Sequence, residues 1–165
     1  AVPSLAAAEQ ELVGVLSRET VLKNAINQAK FDYILIDCPP SLGLLSINAL
    51  VTADSVIIPV QTEFYALEGL GLLMQTIQRI QSGLNPDLKL LGVVMTMVDS
   101  RNALSSQVIA EVKKHFNEYV FNSVIPRNVR LAEAPSFGKT VFEHDKWSKG
   151  ARAYKSLAKE VMNRG

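Results

Sequence analysis

The chain has 165 residues, of which 48% are hydrophobic and 20% charged. That is enough for one ordinary domain burying about 70% of the surface its unfolded chain exposes. No apolar run approaches the ~18 residues that span a bilayer, and the first residues lack the basic and apolar regions of a secretory signal. The single cysteine, Cys38, excludes an internal disulfide and fits a reducing, cytoplasmic setting. The net charge of +1 hides an asymmetry: residues 1–99 carry 5 basic and 10 acidic side chains, residues 100–165 carry 12 and 6. A basic half is the footprint of a polyanionic partner, although solvated basic helices give the same count.

Apolar periodicity predicts alternating strands and helices. Ser17 to Ala29 reads as a helix with Leu22, Ile26 and Ala29 on one face. Tyr33 to Ile36 reads as a buried strand, broken after Asp37 by Pro39 and Pro40, which cannot continue a central strand. A helix over Leu44 to Ala53 leads to a second strand, Ser55 to Val60, ended at or just after Pro59. Leu67 to Gln81 is a long helix closed by Gly83 and the Asn85-Pro86 break. Leu90 to Met97 is a third strand. Leu104 to Asn117 is a helix with Val108, Val112 and Phe116 in register. Val120 to Ile125 is a fourth strand, stopped by Pro126. An irregular stretch follows. Ser148 then caps a last helix to Asn163, with Tyr154, Leu157 and Val161 facing inward.

Strands this apolar, separated by helices, predict an α/β fold with a doubly wound, mostly parallel sheet covered on both faces, in one domain over residues 1–165. Ligands of such sheets bind beyond the carboxyl ends of the strands. The loops after Ile36, Val60, Met97 and Ile125 are therefore the candidate site. Ile34-Leu35-Ile36-Asp37 has the Walker B form, an apolar strand ending in an acid. A carboxylate fixed there can hold a water of Mg²⁺ beside phosphates, and an ordinary strand end looks the same. The prolines that follow stiffen the segment, which suits a phosphate-sensing loop.

Three blocks carry a resemblance: Asp37-Cys38-Pro39-Pro40-Ser41-Leu42-Gly43, Pro59-Val60-Gln61-Thr62-Glu63-Phe64-Tyr65-Ala66-Leu67-Glu68-Gly69 and Ile125-Pro126-Arg127-Asn128-Val129-Arg130-Leu131. Glu133-Ala134-Pro135-Ser136, Ser105 to Gln107 and Ser148-Lys149-Gly150-Ala151 extend it, so that it covers the chain from about Leu12 onward. In this order they resemble the ParA/Soj family of partition ATPases, deviant-Walker P-loop NTPases. The resemblance implies ATP-dependent segregation of chromosome or plasmid DNA by a nucleotide-switched homodimer. Such a dimer binds DNA non-specifically in the cytoplasm, on the nucleoid, and its ATP hydrolysis is stimulated by a centromere-binding partner of the ParB type. Carried over residue by residue, Asp37 is the Mg²⁺ residue, acting through water. Thr96, Met97 and Asp99, with Pro126, Arg127, Asn128 and Val129, border the ATP base. Arg101 and Arg130 contact DNA.

One departure from the family is plain. It carries a glycine-rich loop with two lysines near its start, followed by a switch aspartate, and this sequence contains no G-x-x-x-x-G-K-[ST] motif. Gly138-Lys139-Thr140 lacks the preceding glycines and is expected to be a surface loop. The chain is thus expected to be the C-terminal two-thirds of a ParA-type domain without the P-loop strand and helix. The catalytic residues are then unknown, and the isolated chain is expected to be inactive. Two other readings compete: a membrane-associated cell-division regulator of the same superfamily, and a non-catalytic fragment that dimerises or binds a partner. The remaining chemistry reads as structural. Cys38 is expected to fill a small buried space and Trp147 to anchor the last helix. His115 and His144 are expected at the surface. Glu63 and Glu68 read as exposed carboxylates rather than a general base. The apolar stripe of the last helix is expected to pack on the core rather than on a membrane.

Overall fold

The computed structural model describes residues 3–27 and 29–165. They divide into two compact units, Ala1–Val56 with Leu72–Lys89, and Ile57–Gly71 with Leu90–Gly165.

The first unit contains α1 (Pro3–Leu12), a 3₁₀ turn (Arg18–Thr20), α2 (Val21–Ile26), α3 (Leu44–Thr52) and the later turns of α4 (Ala66–Gly83). Helix α1 lies outside the sequence reading, which began its first helix at Ser17. Buried Asn48 joins three of these elements: its Oδ1 accepts from the Leu22 N–H at 3.1 Å, and its Nδ2 donates to the Arg18 and Leu44 carbonyls at 2.8 and 2.9 Å. The last carbonyls of a helix have no partner within it. Asn85, beyond α4, supplies one by donating to Leu50 O at 3.0 Å and Ala53 O at 2.8 Å. The Asn85-Pro86 break therefore ends α4 and also caps α3.

The predicted strand Tyr33–Ile36 is not formed. Its residues have no regular secondary structure and Tyr33, Ile34 and Leu35 are exposed, with no backbone–backbone hydrogen bond reaching them among the described residues. A strand exists only through its ladder, whatever its β-propensity, and no neighbour here offers one. Cys38 follows suit: it is exposed, not buried, because the segment before it is not packed into a sheet.

In the second unit, β1 (Ser55–Gln61) pairs with β2 (Lys89–Thr96). Pro59 lies within β1, not at its end, and is exposed, as an edge position allows. Val93 and Met95 of β2 are fully buried. The predicted fourth strand, Val120–Ile125, is only partly realised. Parallel bridges join Val93 to Val120 and Val98 to Pro126. Phe121 N–H bonds Val93 O at 2.9 Å and Ile125 N–H bonds Met95 O at 2.8 Å, so this segment advances four residues while β2 advances two. The reason is Glu160: its carboxylate accepts from the Asn122 N–H at 2.7 Å and the Ser123 N–H at 2.9 Å, taking them out of the ladder. These bonds hold Glu160 below the usual carboxylate range although its burial pushes the other way.

Helix α5 (Ala103–Phe116) starts at Asn102, whose side chain accepts from the Leu104 N–H, and buries Val108 and Val112 as its spacing predicted. The stretch read as irregular holds two short helices, α6 (Val129–Glu133) and α7 (Val141–Asp145). A capping box in which Thr140 and Glu143 bond reciprocally starts α7. Five residues carry too little apolar periodicity to reveal either. Helix α8 (Lys149–Arg164) begins at the Ser148 cap, as expected. Its Ala153, Leu157 and Val161 pack on the core cluster of Val94, Phe121 and Ile125, so the stripe is a core face. Tyr154 departs from that face and is 42% exposed. Trp147 anchors nothing; it is 77% exposed, with Lys146 Nζ 5.4 Å from its ring centroid. The mixed α/β architecture with parallel pairing is the one the alternation of elements predicted.

Candidate functional site

Residues beyond the β2 tip and those beyond the third segment lie side by side. The link is backbone: Val98 N–H donates to Ile125 O and Arg127 N–H donates to Val98 O, both at 3.1 Å. Thr96, Met97 and Asp99 thereby face the run Pro126, Arg127, Asn128 and Val129, within one unit. Met97 makes the turn with φ +54°, a left-handed conformation that costs a side-chain-bearing residue about 1 kcal/mol. Beneath it, buried Thr62 at the end of β1 shares a 2.9 Å hydroxyl–hydroxyl hydrogen bond with buried Ser105 of α5. Its backbone N–H donates to Thr96 O at 3.3 Å.

These groups line a pocket of about 360 Å³ with Glu63, Met97, Asp99, Asn102 and Arg127 on its walls. The volume lies in the range of small-molecule sites. Thr62, Ser105 and Asn102 escaped assignment in the sequence although the first two lie in its motif blocks. Their role is a cross-strand and cap geometry that no spacing reveals.

Asp99 does not stand free at this rim. Arg101 grips it twice, Nε to Oδ1 at 3.0 Å and Nη2 to Oδ2 at 2.9 Å, while the Arg101 backbone N–H adds a third bond to Oδ1 at 3.0 Å. The side-chain bonds first, then the backbone bond, hold the Asp99 carboxyl down to about 2. A depressed carboxyl pKa stabilises the fold above its unfolded value, near 3.9, and that contribution is lost as pH falls toward about 2. We expect an NMR titration to place the Asp99 midpoint near 2 and Arg101→Ala to return it to the ordinary carboxylate range. An unmoved midpoint would mean that the pair does not persist in solution.

Arg130 is similarly engaged. Asn128 caps α6 by accepting from the Arg130 N–H at 3.0 Å. The Arg130 guanidinium lies 2.9 Å from Glu133 Oε2 and 3.5 Å from Asp145 Oδ2. His144 is not the surface residue expected: half-buried, it stacks on Phe137 and points Nε2 at Glu133 Oε2, 3.4 Å away. His115 is exposed, as expected. The Arg130 bond, then the His144 bond, hold Glu133 below its usual range. Arg127, Asn128, Arg130, Glu133, Asp145 and Lys149 border a second, open pocket of about 650 Å³.

Asp37 belongs to the first unit, in an exposed segment without regular secondary structure, and makes no hydrogen bond or ion pair among the described residues. No cluster of three His, Cys, Asp or Glu side chains there could hold a metal. Such a lone carboxylate suits Mg²⁺, which keeps several waters and takes one or two carboxylates with substrate phosphates, and does not suit an all-protein cage. Of the seven residues expected at the base, Met97, Asp99 and Arg127 line the 360 Å³ pocket and Thr96, Pro126, Asn128 and Val129 do not, and a glycine-rich phosphate cradle is not in the sequence. No helix among the described residues is long and apolar enough to cross a membrane.

An α/β protein with adjacent parallel strand tips beside a pocket is the class defined so far. The family described as "AAA domain" matches residues 1–90, more than half of the chain, and the chain belongs to that family. It is 57% identical over 163 residues to the sporulation initiation inhibitor protein Soj of Bacillus subtilis, covering 98% of this chain and 64% of that protein. It is 52% identical to the chromosome partitioning protein ParA of Myxococcus xanthus, covering 99% and 59%. Among solved structures, the cobyrinic acid a,c-diamide synthase of Mycobacterium smegmatis with bound ATP analogue and magnesium is 38% identical at a TM-score of 0.77, covering 97% of this chain and 59% of that one. Within the family the chain is thus of the ParA/Soj type, as its motif blocks anticipated. It spans about three-fifths of the length of the curated relatives it matches.

Proposed function

We propose that the chain is the Walker B and base-side portion of an ATP-hydrolysing partition switch that, as an ATP-bound homodimer, binds DNA non-specifically and answers to a centromere-binding partner. The observation that carries the reading is the side-by-side placement of Thr96–Asp99 and Pro126–Val129 across the Val98–Pro126 bridge, in a chain 57% identical to Soj. In this reading ATP, when bound, supplies the phosphate bond that is broken, and Mg²⁺ neutralises its oxygens. The chain's own residues have smaller tasks. Asp37 holds a metal-bound water. The Met97 turn and the Pro126–Val129 run border the base, and the buried Thr62–Ser105 pair holds the β1 tip against α5 below them. Arg101 and Arg130 face DNA phosphates.

Full-length protein is expected to turn over ATP slowly, with Asp37→Ala reducing the rate at least tenfold, while the 165-residue chain shows no turnover. Phosphate release with and without Mg²⁺ measures all three. Unimpaired turnover by the Asp37 variant would remove Asp37 from the metal site, and Asp37-dependent turnover by the short chain would show that the base-side portion suffices.

A further inference from the structure

We propose that Glu160, which lines neither pocket, is a positioning residue for the nucleotide base: by drawing two N–H groups out of the ladder it sets the register that brings Arg127 to the wall of the 360 Å³ pocket. This role rests on the base-side reading of Pro126–Val129 given above and adds to it a residue of α8.

A parallel ladder running on without interruption from the Val93–Val120 bridge would set Ile125 opposite Val98. The residue found there is Pro126. Two irregularities produce the difference. The third segment spends two extra residues between Phe121 and Ile125, and β2 takes one back at the left-handed Met97. The net slip of one residue is about 3.3 Å along the strand, and it exchanges the faces on which successive side chains stand. Bulges beside active sites re-aim side chains in this way. In the uninterrupted ladder Pro126 would stand in the place of Arg127. Proline has no N–H to give, so the bond that Arg127 N–H makes to Val98 O would be lost as well.

Glu160 holds the detour. Half-buried on α8, it accepts from the Asn122 and Ser123 N–H groups at 2.7 and 2.9 Å. Ser123 Oγ and Ser156 Oγ, 2.9 Å apart, tie the same stretch to α8. Arg164, one turn after Glu160, donates to Tyr119 O and Val120 O and so fixes the entry to it. Hydrogen bonding by itself does not require a detour, because a regular ladder would offer the Ser123 N–H the Met95 carbonyl. What the detour changes is the placement of the residues beyond it.

The test uses full-length protein with Mg²⁺ and compares ATP with tripolyphosphate, which has phosphates but no base. Glu160→Gln keeps the side-chain shape and gives up one of the two acceptor oxygens. It is expected to weaken ATP binding by about five- to tenfold and to leave tripolyphosphate binding within about twofold. Deleting Asn122 and Ser123 in the same variant restores the register by chain length, and is expected to return ATP affinity to within about twofold of the unaltered protein. An equal loss for both ligands, or a folded deletion variant that does not recover, would make Glu160 a stabilising residue only and overturn the role. If the deletion variant does not fold, the two ligand losses in Glu160→Gln decide. Hydrogen exchange of the unaltered protein tests the base-side reading separately. If ATP protects the Asn128 and Val129 amides while Glu160→Gln binds ATP normally, that reading stands and the positioning role falls. If ATP protects neither amide, both fall.

Discussion

Replacing Phe121 by alanine is expected to lower the free energy of unfolding by about 3–5 kcal/mol, the usual cost of emptying a fully buried aromatic site. Phe121 is the largest fully buried side chain among the described residues, packed with Val94 and Ile125 and covered by Leu91, Leu157 and Val161. Its other contacts cannot close the void. Gly92 approaches so near that a Cβ there would stand 2.5 Å from the Phe121 ring and 2.7 Å from Tyr119 O, so that position has no side chain to fill the space. The Arg164 guanidinium lies 4.2 Å from the ring centroid, and it donates to Leu91 O, Tyr119 O and Val120 O at 3.1–3.3 Å. Losing the ring therefore also loosens the clamp joining the end of α8 to β2 and the third segment. Urea denaturation measures the effect, and Phe121→Leu should cost roughly 1–2 kcal/mol, since most of the volume is kept. A loss below about 1 kcal/mol for the alanine variant would show that the third segment is not part of the core.

The second large effect expected is on binding. In the proposed ATP-bound dimer, replacing both Arg101 and Arg130 by alanine removes four guanidinium groups. If each neutralises one phosphate, the salt slope of duplex binding falls by about four. Affinity should drop by roughly two to three orders of magnitude at low salt, equally for all sequences, because phosphate contacts carry no sequence information. The arginines are not idle beforehand: Asp99 grips Arg101 and Glu133 grips Arg130, so DNA must exchange one anion for another at each. Affinity set by this exchange is modest and salt-sensitive. Duplex titration by anisotropy over a salt series measures it, and an unchanged slope would remove both residues from the interface.

The sequence reading and the structure agree and part for identifiable reasons. Helices α3, α4, α5 and α8 were legible because each shows several turns of 3.6-residue periodicity, and α8 announces its start with Ser148. Strands β1 and β2 were legible as apolar runs bounded by turn residues. Tyr33–Ile36 looked equally strand-like and is not a strand, because its apolar run reports propensity whereas a ladder requires a partner. Val120–Ile125 was read as a continuous strand, and a carboxylate 38 residues away interrupts it. The first unit's joints, Asn48 and Asn85, were invisible for the same reason: each acts through a side-chain amide on backbone groups distant in the chain.

The amino-acid order alone determined the α/β class, the ParA/Soj type and the acidic and basic halves, because these depend on periodicity, spaced motifs and residue counts. Only the tertiary structure decided that the β2 tip lies beside Pro126–Val129, that Thr62 meets Ser105, and that each candidate DNA arginine is held by an acid. The outward positions of Cys38 and Trp147 belong with these. All depend on contacts made across the fold or on solvent left uncovered by it, and side-chain chemistry read along one chain does not specify which distant group arrives.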